Sequence, residues 1–204
     1  MLLSTCELKE FESQGGEGVV APSANRFGKV SPTTAQAVSD ELSNYLTSAD
    51  LILDGGPCAV GVESTIIDCT QSLPVIIRPG EVSTQMIEEL LSIKLPIFDT
   101  QSNQIKAPGL LTSHYSPNAK VFLTGTPAPG DGLIALSSFA TPTGVVRVAS
   151  PASNEEFAQI LYSALRAADE QGLAEVVVMQ PIGIGIAVAI RDRLKRAAFG
   201  SAKS

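Results

Sequence analysis

Cysteines are few in this sequence, and long apolar runs are absent. Cys6, Cys58 and Cys69 are the only cysteines, and their scattered positions match no metal-ligand spacing. Such cysteine usage favours a reducing compartment. No apolar run approaches the roughly 20 residues that span a bilayer, and the first residues do not form a basic-then-apolar leader. We therefore expect a cytoplasmic protein with no membrane contact.

Positive charge is also scarce. The net charge of −7 excludes a general electrostatic attraction to nucleic acid. An RNA contact would need a local basic patch, and the one stretch rich in Lys and Arg is 191–196, so we expect at most a weak RNA contact. The apolar fraction of 44% and charged fraction of 17% are typical of a globular protein with room for one large or two small domains.

Common catalytic and phosphate-binding motifs are missing. No Gly-x-x-x-x-Gly-Lys-Ser/Thr segment occurs, which excludes a Walker-type phosphate loop. A Ser-His-Asp triad would have to use His114, the single histidine, and no supporting motif surrounds it. Val188 occupies the third glycine position of a dinucleotide fingerprint after Gly183 and Gly185, so we interpret that segment as helix–strand packing. No pair of His, Asp or Glu has helical metal spacing, so any Mg²⁺ would arrive with the phosphates of a nucleotide.

A polar turn at residues 21–34 carries the most informative side chains. It follows a short apolar strand predicted at 18–21 and leads into a helix. Backbone N–H groups at a helix N-terminus favour an anion, which predicts a phosphate or carboxylate site. An ordinary helix cap also explains the turn, with Ser31 as N-cap and Pro32 as the first helical residue. Local chemistry leaves both interpretations open.

Apolar periodicity divides the chain into two α/β units, at 1–98 and 120–204, joined by a linker at 99–119. The first unit has predicted helices at 7–14, 32–47 and 84–91, the last capped by Ser83. Its predicted strands lie at 51–53, within 61–68 and at 75–78, and the last two form an antiparallel pair. The second unit has predicted strands at 120–123, 132–136, 145–148 and 175–179, and helices at 154–171 and 185–198. Strands alternating with helices predict a small parallel sheet.

Three polar clusters of the first unit lie at turns or strand ends. They are Ser23 with Asn25 and Ser31, Ser64 with Thr65, and Arg78. Hydroxyls and an amide orient a ligand, while a guanidinium binds phosphate or carboxylate through two parallel hydrogen bonds. Together the clusters are typical of a nucleotide site that works by positioning and electrostatics. Each also has a structural interpretation, as a strand-end hydrogen bond or a solvated strand terminus.

Four motifs, in order, resemble those of the YrdC-like threonylcarbamoyl-AMP synthases. They are Ala21-Pro22-Ser23-Ala24-Asn25 with Gly28 and Ser31-Pro32-Thr33, Gly61-Val62-Glu63-Ser64-Thr65-Ile66-Ile67-Asp68, Ile77-Arg78-Pro79-Gly80, and Ala107-Pro108-Gly109 with His114-Tyr115-Ser116-Pro117. The tail at 183–198 is similar to the end of the accessory domain in two-domain members. The resemblance runs from about residue 15 to the C-terminus. It implies the C-terminal half of a YrdC-like twisted-sheet α/β catalytic domain, followed by a Rossmann-like parallel α/β accessory domain.

The resemblance also implies a reaction. L-threonine, bicarbonate and ATP would give threonylcarbamoyl-AMP and pyrophosphate, for the threonylcarbamoyladenosine modification of tRNA. Asn25 would order the turn, Arg78 would bind the phosphates, and Tyr115 would close the linker over the nucleotide. The residues carried over are, for ATP, Ser23, Asn25, Ser31, Arg78 and Tyr115, and for threonine, Ala21 and Ser64.

No segment before Gly15 resembles the Lys/Arg-containing segment that opens the family's catalytic domain. We therefore expect unpaired strand edges and an open apolar face in the first unit, and no pyrophosphate release by this chain alone. One alternative is a non-catalytic nucleotide- or partner-binding remnant that completes its sheet with a missing-half polypeptide. Another is an unrelated α/β binding module in which the Ser-Ala-Asn turn is only a cap.

Overall fold

The computed structural model describes residues 5–17, 23–26, 28–96 and 116–201. In the first unit the elements are α1 (Thr5–Ser13), α2 (Ala35–Leu42), β1 (Ile66–Asp68), β2 (Val75–Arg78) and α3 (Thr84–Leu91). The three helices and the last two strands predicted for this unit are confirmed, although α2 is shorter than expected. The predicted strand at 18–21 lies outside the described residues.

Strands β1 and β2 form an antiparallel pair, as predicted. Ile67 lies opposite Ile76, and Asp68 lies opposite Val75. β-branched side chains favour the extended backbone of both strands. Ile76 packs with Ile87 of α3 and with Leu95 in a small core of the first unit.

Helix α3 begins where its cap was predicted. The Ser83 hydroxyl accepts a hydrogen bond from the Met86 backbone N–H at 3.2 Å, which satisfies one of the unpaired donors at the helix start. The helix ends at Ser92, whose φ of 53° turns the backbone into the left-handed region.

Two predictions for the first unit are wrong. Residues 51–53 form no strand, and Leu51 is 80% exposed, because neither strand of the first sheet pairs with this segment. Ser31 is not the N-cap of α2: the Thr34 hydroxyl accepts from the Ala37 N–H at 3.1 Å instead. The Ser31 hydroxyl donates to the Glu63 carboxylate, so a tertiary contact takes the group that a cap would use.

The second unit is a parallel α/β layer, as its alternating pattern predicted. Its elements are β3 (Lys120–Phe122), β4 (Gly132–Ile134), β5 (Val146–Ala149), α4 (Asn154–Glu170), β6 (Glu175–Val178) and α5 (Ile186–Ser201). The four strands are all parallel and lie in the order β3-β6-β4-β5. Helices α4 and α5 pack on each other. Helix α4 also packs on β5, and α5 also packs on β3. No described helix is long and apolar enough to cross a membrane.

The core of the second unit extends into the first. Phe157 and Leu161 of α4 are fully buried, and Val30 and Val62 of the first unit belong to the same apolar cluster. A Cβ atom at Gly61 would collide with the backbone of α4 at residues 158–159, so the loop before β1 lies directly against that helix. Only glycine permits this approach, and it seats the loop of the second motif on the second unit.

Candidate functional site

The carboxylate of Glu63 joins three separate elements. Glu63 lies three residues before β1, and its oxygens accept hydrogen bonds from the Ser31 hydroxyl at 3.1 Å, the Tyr162 hydroxyl at 2.9 Å and Arg193 Nε at 2.7 Å. Tyr162 comes from α4 and Arg193 from α5, whereas Ser31 belongs to the polar turn. These hydrogen bonds connect the polar turn and the loop of the second motif to the second unit.

This cluster is buried and charged. Arg193 and Tyr162 are each 1% exposed. Burial by itself would raise the pKa of Glu63, but the charge of Arg193 and the hydrogen bonds from Arg193 and Tyr162 hold it below its usual value. Burial likewise opposes the charged form of Arg193, but the charge and hydrogen bond of Glu63, together with Tyr162 and Asp192, outweigh it and raise the pKa of the guanidinium. The pair is therefore ionised in the folded protein.

Acid should weaken the folded state through Glu63. Its pKa is lower in the folded chain than the unfolded value of about 4.3, so its contribution to stability is present above that pH and is lost as pH falls through the folded pKa. We expect Glu63→Gln to flatten the decline in the free energy of unfolding between about pH 5 and pH 3. Urea denaturation at several pH values measures this decline. Glu89→Gln, at an exposed position of α3, is the control, and equal slopes in wild type and Glu63→Gln would contradict the prediction.

Two of the four basic residues at 191–196 form internal ion pairs. Arg193 Nη1 also bonds Asp192 at 2.8 Å, and Arg196 Nη2 bonds the same carboxylate at 2.9 Å. Arg196 is 9% exposed, so neither guanidinium forms part of an open basic surface. In the stretch that we singled out for an RNA contact, Lys195 is exposed, and the half-buried Arg191 donates to the Pro181 and Gly183 carbonyls.

The polar turn is ordered by Asn25. Its side-chain Nδ2 donates to the Arg26 carbonyl at 2.9 Å and to the Lys29 carbonyl at 3.0 Å. Gly28 within this turn has a φ of 81°, a conformation that glycine adopts readily. Ser23 is exposed at the beginning of the described turn, and Ser31 is buried at its end.

Arg78 is buried at the end of β2 and is not a solvated strand terminus. It is 7% exposed, and its Nε donates to the Ser64 carbonyl at 3.0 Å while its Nη2 donates to the Ser64 hydroxyl at 3.2 Å. A Cβ atom at Gly80 would collide with the backbone of residues 63–65, so the third motif packs directly on the second. Thr65 has the strand-end role that we considered, because its hydroxyl donates to the Val82 carbonyl at 2.7 Å.

The structure links three of the expected site residues by a chain of contacts. Ser31 bonds Glu63, the next residue is Ser64, and Ser64 bonds Arg78. Asn25 and Ser23 lie in the turn that ends at Ser31. Ala21, His114 and Tyr115 lie outside the described residues. Within the described ranges, no group of three or more His, Cys, Asp and Glu side chains could hold a metal ion.

Sequence reasoning assigned no role to Glu63, Tyr162 or Arg193. One signal pointed to Arg193: it lies between Ile190 and Ala197 at helical spacing, on the apolar face of α5, where a charge needs a partner. The identity of that partner carried no local signal, because Glu63 is 130 residues away in the chain.

A second ion cluster fastens the turn to α4. Glu41 of α2 bonds Arg26 at 2.9 Å and Arg166 of α4 at 3.4 Å. Burial by itself would raise the pKa of Glu41. Together, the hydrogen bonds from the two arginines have the larger effect, so the pKa is lowered. Arg166 also donates to the Val30 carbonyl, so α4 holds the backbone that leads to Ser31.

A parallel α/β layer that buries a charged pair against the polar loops of the first unit defines an α/β protein with a candidate site at that contact. Two family models match it: one described as "Threonylcarbamoyl-AMP synthase, C-terminal domain" over residues 82–199, and one described as "Telomere recombination" over residues 6–80. The chain belongs to the threonylcarbamoyl-AMP synthase family. The match from residue 6 reaches further toward the N-terminus than residue 15, where we expected the resemblance to begin.

Individual relatives agree with this assignment. The chain is 31% identical to threonylcarbamoyl-AMP synthase of Bacillus subtilis, with 92% of this chain and 59% of the relative covered. It is 32% identical to that of Pyrococcus abyssi, with 88% and 57% covered. The crystal structure of P. abyssi Sua5 complexed with L-threonine has a TM-score of 0.74 at 29% identity, covering 89% of this chain and 58% of that one. The chain thus spans less than two thirds of these relatives, and the interpretation as an unrelated binding module is wrong.

Proposed function

We propose that this chain binds ATP and L-threonine and works in the synthesis of threonylcarbamoyl-AMP, the product that serves threonylcarbamoyladenosine modification of tRNA. The contact chain from Ser31 through Glu63 and Ser64 to Arg78 carries this proposal, because it joins three motifs that are distant in sequence. Family membership and the likeness to a structure with bound L-threonine support it.

The proposed roles follow from the chemistry of each group. The hydroxyls of Ser23 and Ser31 bind ATP on the turn that Asn25 orders, and Arg78 neutralises phosphate charge. For threonine, the contacts come from Ser64 and from the backbone of Ala21. Tyr115 closes the linker over the nucleotide.

The proposed reaction is a displacement at phosphorus. Bicarbonate and the amine of L-threonine give a carbamate and water, and a carbamate oxygen attacks the α-phosphate of ATP. The bond from that phosphorus to the pyrophosphate group breaks, and the leaving pyrophosphate carries the charge away. Such a reaction needs positioning and charge neutralisation rather than a protein nucleophile. Mg²⁺ in this proposal accompanies the ATP phosphates, as is usual for this hard cation.

Binding and turnover are tested separately on the full chain. We expect calorimetry to detect binding of ATP, and of L-threonine in the presence of bicarbonate. We expect this chain alone to release no pyrophosphate from ATP, L-threonine and bicarbonate in an assay in which the B. subtilis relative does. No ATP binding at about 1 mM would overturn the proposed site. Pyrophosphate release clearly above background would overturn the expectation of no turnover.

A non-catalytic nucleotide- or partner-binding protein is the second candidate. The described part of the first unit has a two-stranded sheet, and such a sheet is marginal in water without further packing. Large apolar side chains of this unit are exposed, among them Tyr45 at 66% and Leu90 at 83%. These observations favour completion of the first sheet by a further polypeptide. Binding of ATP without binding of L-threonine in the same titrations supports this candidate.

A further inference from the structure

One carboxylate fixes the relative positions of the two units at the candidate site. Glu63 Oε2 accepts from Arg193 Nε at 2.7 Å, and the Tyr162 hydroxyl reaches both oxygens, at 3.1 and 2.9 Å. The Ser31 hydroxyl adds a contact of 3.1 Å to Oε1. With partners on both oxygens, the carboxylate is restrained in rotation as well as in position.

Two hydroxyls of the candidate site, those of Ser31 and Ser64, depend on this carboxylate and its backbone. Ser31 bonds it directly. Ser64 follows Glu63 in the chain, and Arg193 Nη2 donates to the Glu63 carbonyl at 3.3 Å. The same arginine therefore holds the side chain that Ser31 contacts and the backbone from which Ser64 extends.

The loop before Ser64 is seated on the second unit in two more places. Val62 is 8% exposed and belongs to the apolar cluster around α4. Gly61 lies against the α4 backbone so closely that no side chain fits there. A site held by buried packing and hydrogen bonds keeps its geometry better than one on a free loop.

We infer that Arg193 and Tyr162 are positioning residues for ATP and L-threonine, acting through Glu63 on the hydroxyls of Ser31 and Ser64. The inference rests on the proposed function. Neither residue contacts a ligand in this arrangement. The second unit thereby determines the ligand affinity of a site whose contacting groups belong to the first.

The first test measures ligand affinity in the full chain by calorimetry. Tyr162→Phe removes one hydroxyl, and Arg193→Lys keeps the charge but cannot reproduce the Nε and Nη2 contacts together. We expect each variant to weaken ATP binding by about tenfold, as for a lost hydrogen bond to a charged group. Lys195→Met, an exposed position on the same helix, is the matched control and should keep wild-type affinity.

A double-mutant cycle separates positioning from a general loss of structure. If Tyr162 acts through Ser31, its replacement in a Ser31→Ala background should cost less than about threefold in ATP affinity. Fully additive losses in both the Ser31→Ala and the Ser64→Ala backgrounds would overturn the inference. Far-UV circular dichroism and melting temperature check that each variant is folded at the assay temperature.

Hydrogen exchange without ligand provides the second test. We expect Tyr162→Phe and Arg193→Lys to accelerate exchange at residues 30–34 and 61–65, while β4 and β6 keep their protection. A wild-type chain that binds no ATP would overturn the proposed function. A wild-type chain that binds ATP, with variants unchanged in affinity and exchange, would overturn the positioning role alone.

Discussion

Replacing Arg193 by methionine is expected to lower the free energy of unfolding by about 3–5 kcal/mol, the cost of breaking a buried ion pair on one side. Arg193 is 1% exposed and lies 2.7 Å from the Glu63 carboxylate. Its loss leaves Glu63 and Asp192 without that counter-charge. Methionine keeps much of the volume, so the effect reports charge and hydrogen bonding more than a cavity. Urea denaturation at neutral pH measures the change.

The same helix supplies the control for Arg193→Met. Lys195 is exposed, so Lys195→Met removes one positive charge without opening the cluster and should change stability by less than about 0.5 kcal/mol. Glu63→Gln combined with Arg193→Met should recover part of the loss, because the uncompensated charge is then gone. A loss below about 1 kcal/mol in the single variant would mean that water or neighbouring groups already screen the pair.

Local patterns were enough to predict the second unit. Its strands are apolar and lie between clear turns, and α4 shows the period of an amphipathic helix from Phe157 to Ala168. Each element therefore carries its own signal, and the order β5-α4-β6-α5 favours a parallel sheet, although β3, β4 and β5 follow one another without a helix between them. The antiparallel pairing of β1 and β2 was predictable for the same reason, since both strands and their short connection are adjacent in the chain.

The failures share one physical cause, which is that tertiary partners decide the outcome. Residues 51–53 have an apolar sequence suited to a strand, but a strand exists only beside another, and neither strand of the first sheet pairs with them. Ser31 has a residue type and position suited to a cap, but Glu63 takes its hydroxyl and Thr34 caps α2. No local window contains the information on which group a side chain finally meets.

The candidate site, like the fold, was only partly predictable from the sequence. The motifs indicated Ser31, Ser64 and Arg78 individually, and their order in the chain pointed to one family. The pair formed by Glu63 and Arg193 of α5 supports these residues. Its two members are 130 positions apart in the chain and meet only in the folded protein. A site that works by positioning is defined as much by such supporting contacts as by the groups that meet the ligand.

Arg78→Ala is expected to weaken ATP binding by about 1.5–3 kcal/mol, roughly 10- to 150-fold in Kd, because a charged hydrogen-bonding group is lost. The guanidinium has two functions in the proposed site: it neutralises phosphate charge, and it holds Ser64 through the contacts at 3.0 and 3.2 Å. Calorimetric titration of the full chain with ATP measures the loss.

Two further variants separate these functions of Arg78. Arg78→Lys keeps the positive charge but loses the paired donors, so it should fall between wild type and Arg78→Ala in ATP affinity. Lys94→Ala removes a charge from a side chain that is 90% exposed in the same unit and should leave the titration unchanged. If Arg78→Ala is folded and binds ATP like wild type, Arg78 serves only to hold the Ser64 loop, and the phosphate contact must come from another group. If Arg78→Lys binds ATP as weakly as Arg78→Ala does, the paired hydrogen bonds from Arg78 to Ser64 matter more for ATP affinity than the positive charge. The site would then depend on supporting contacts at Arg78 as it does at Glu63.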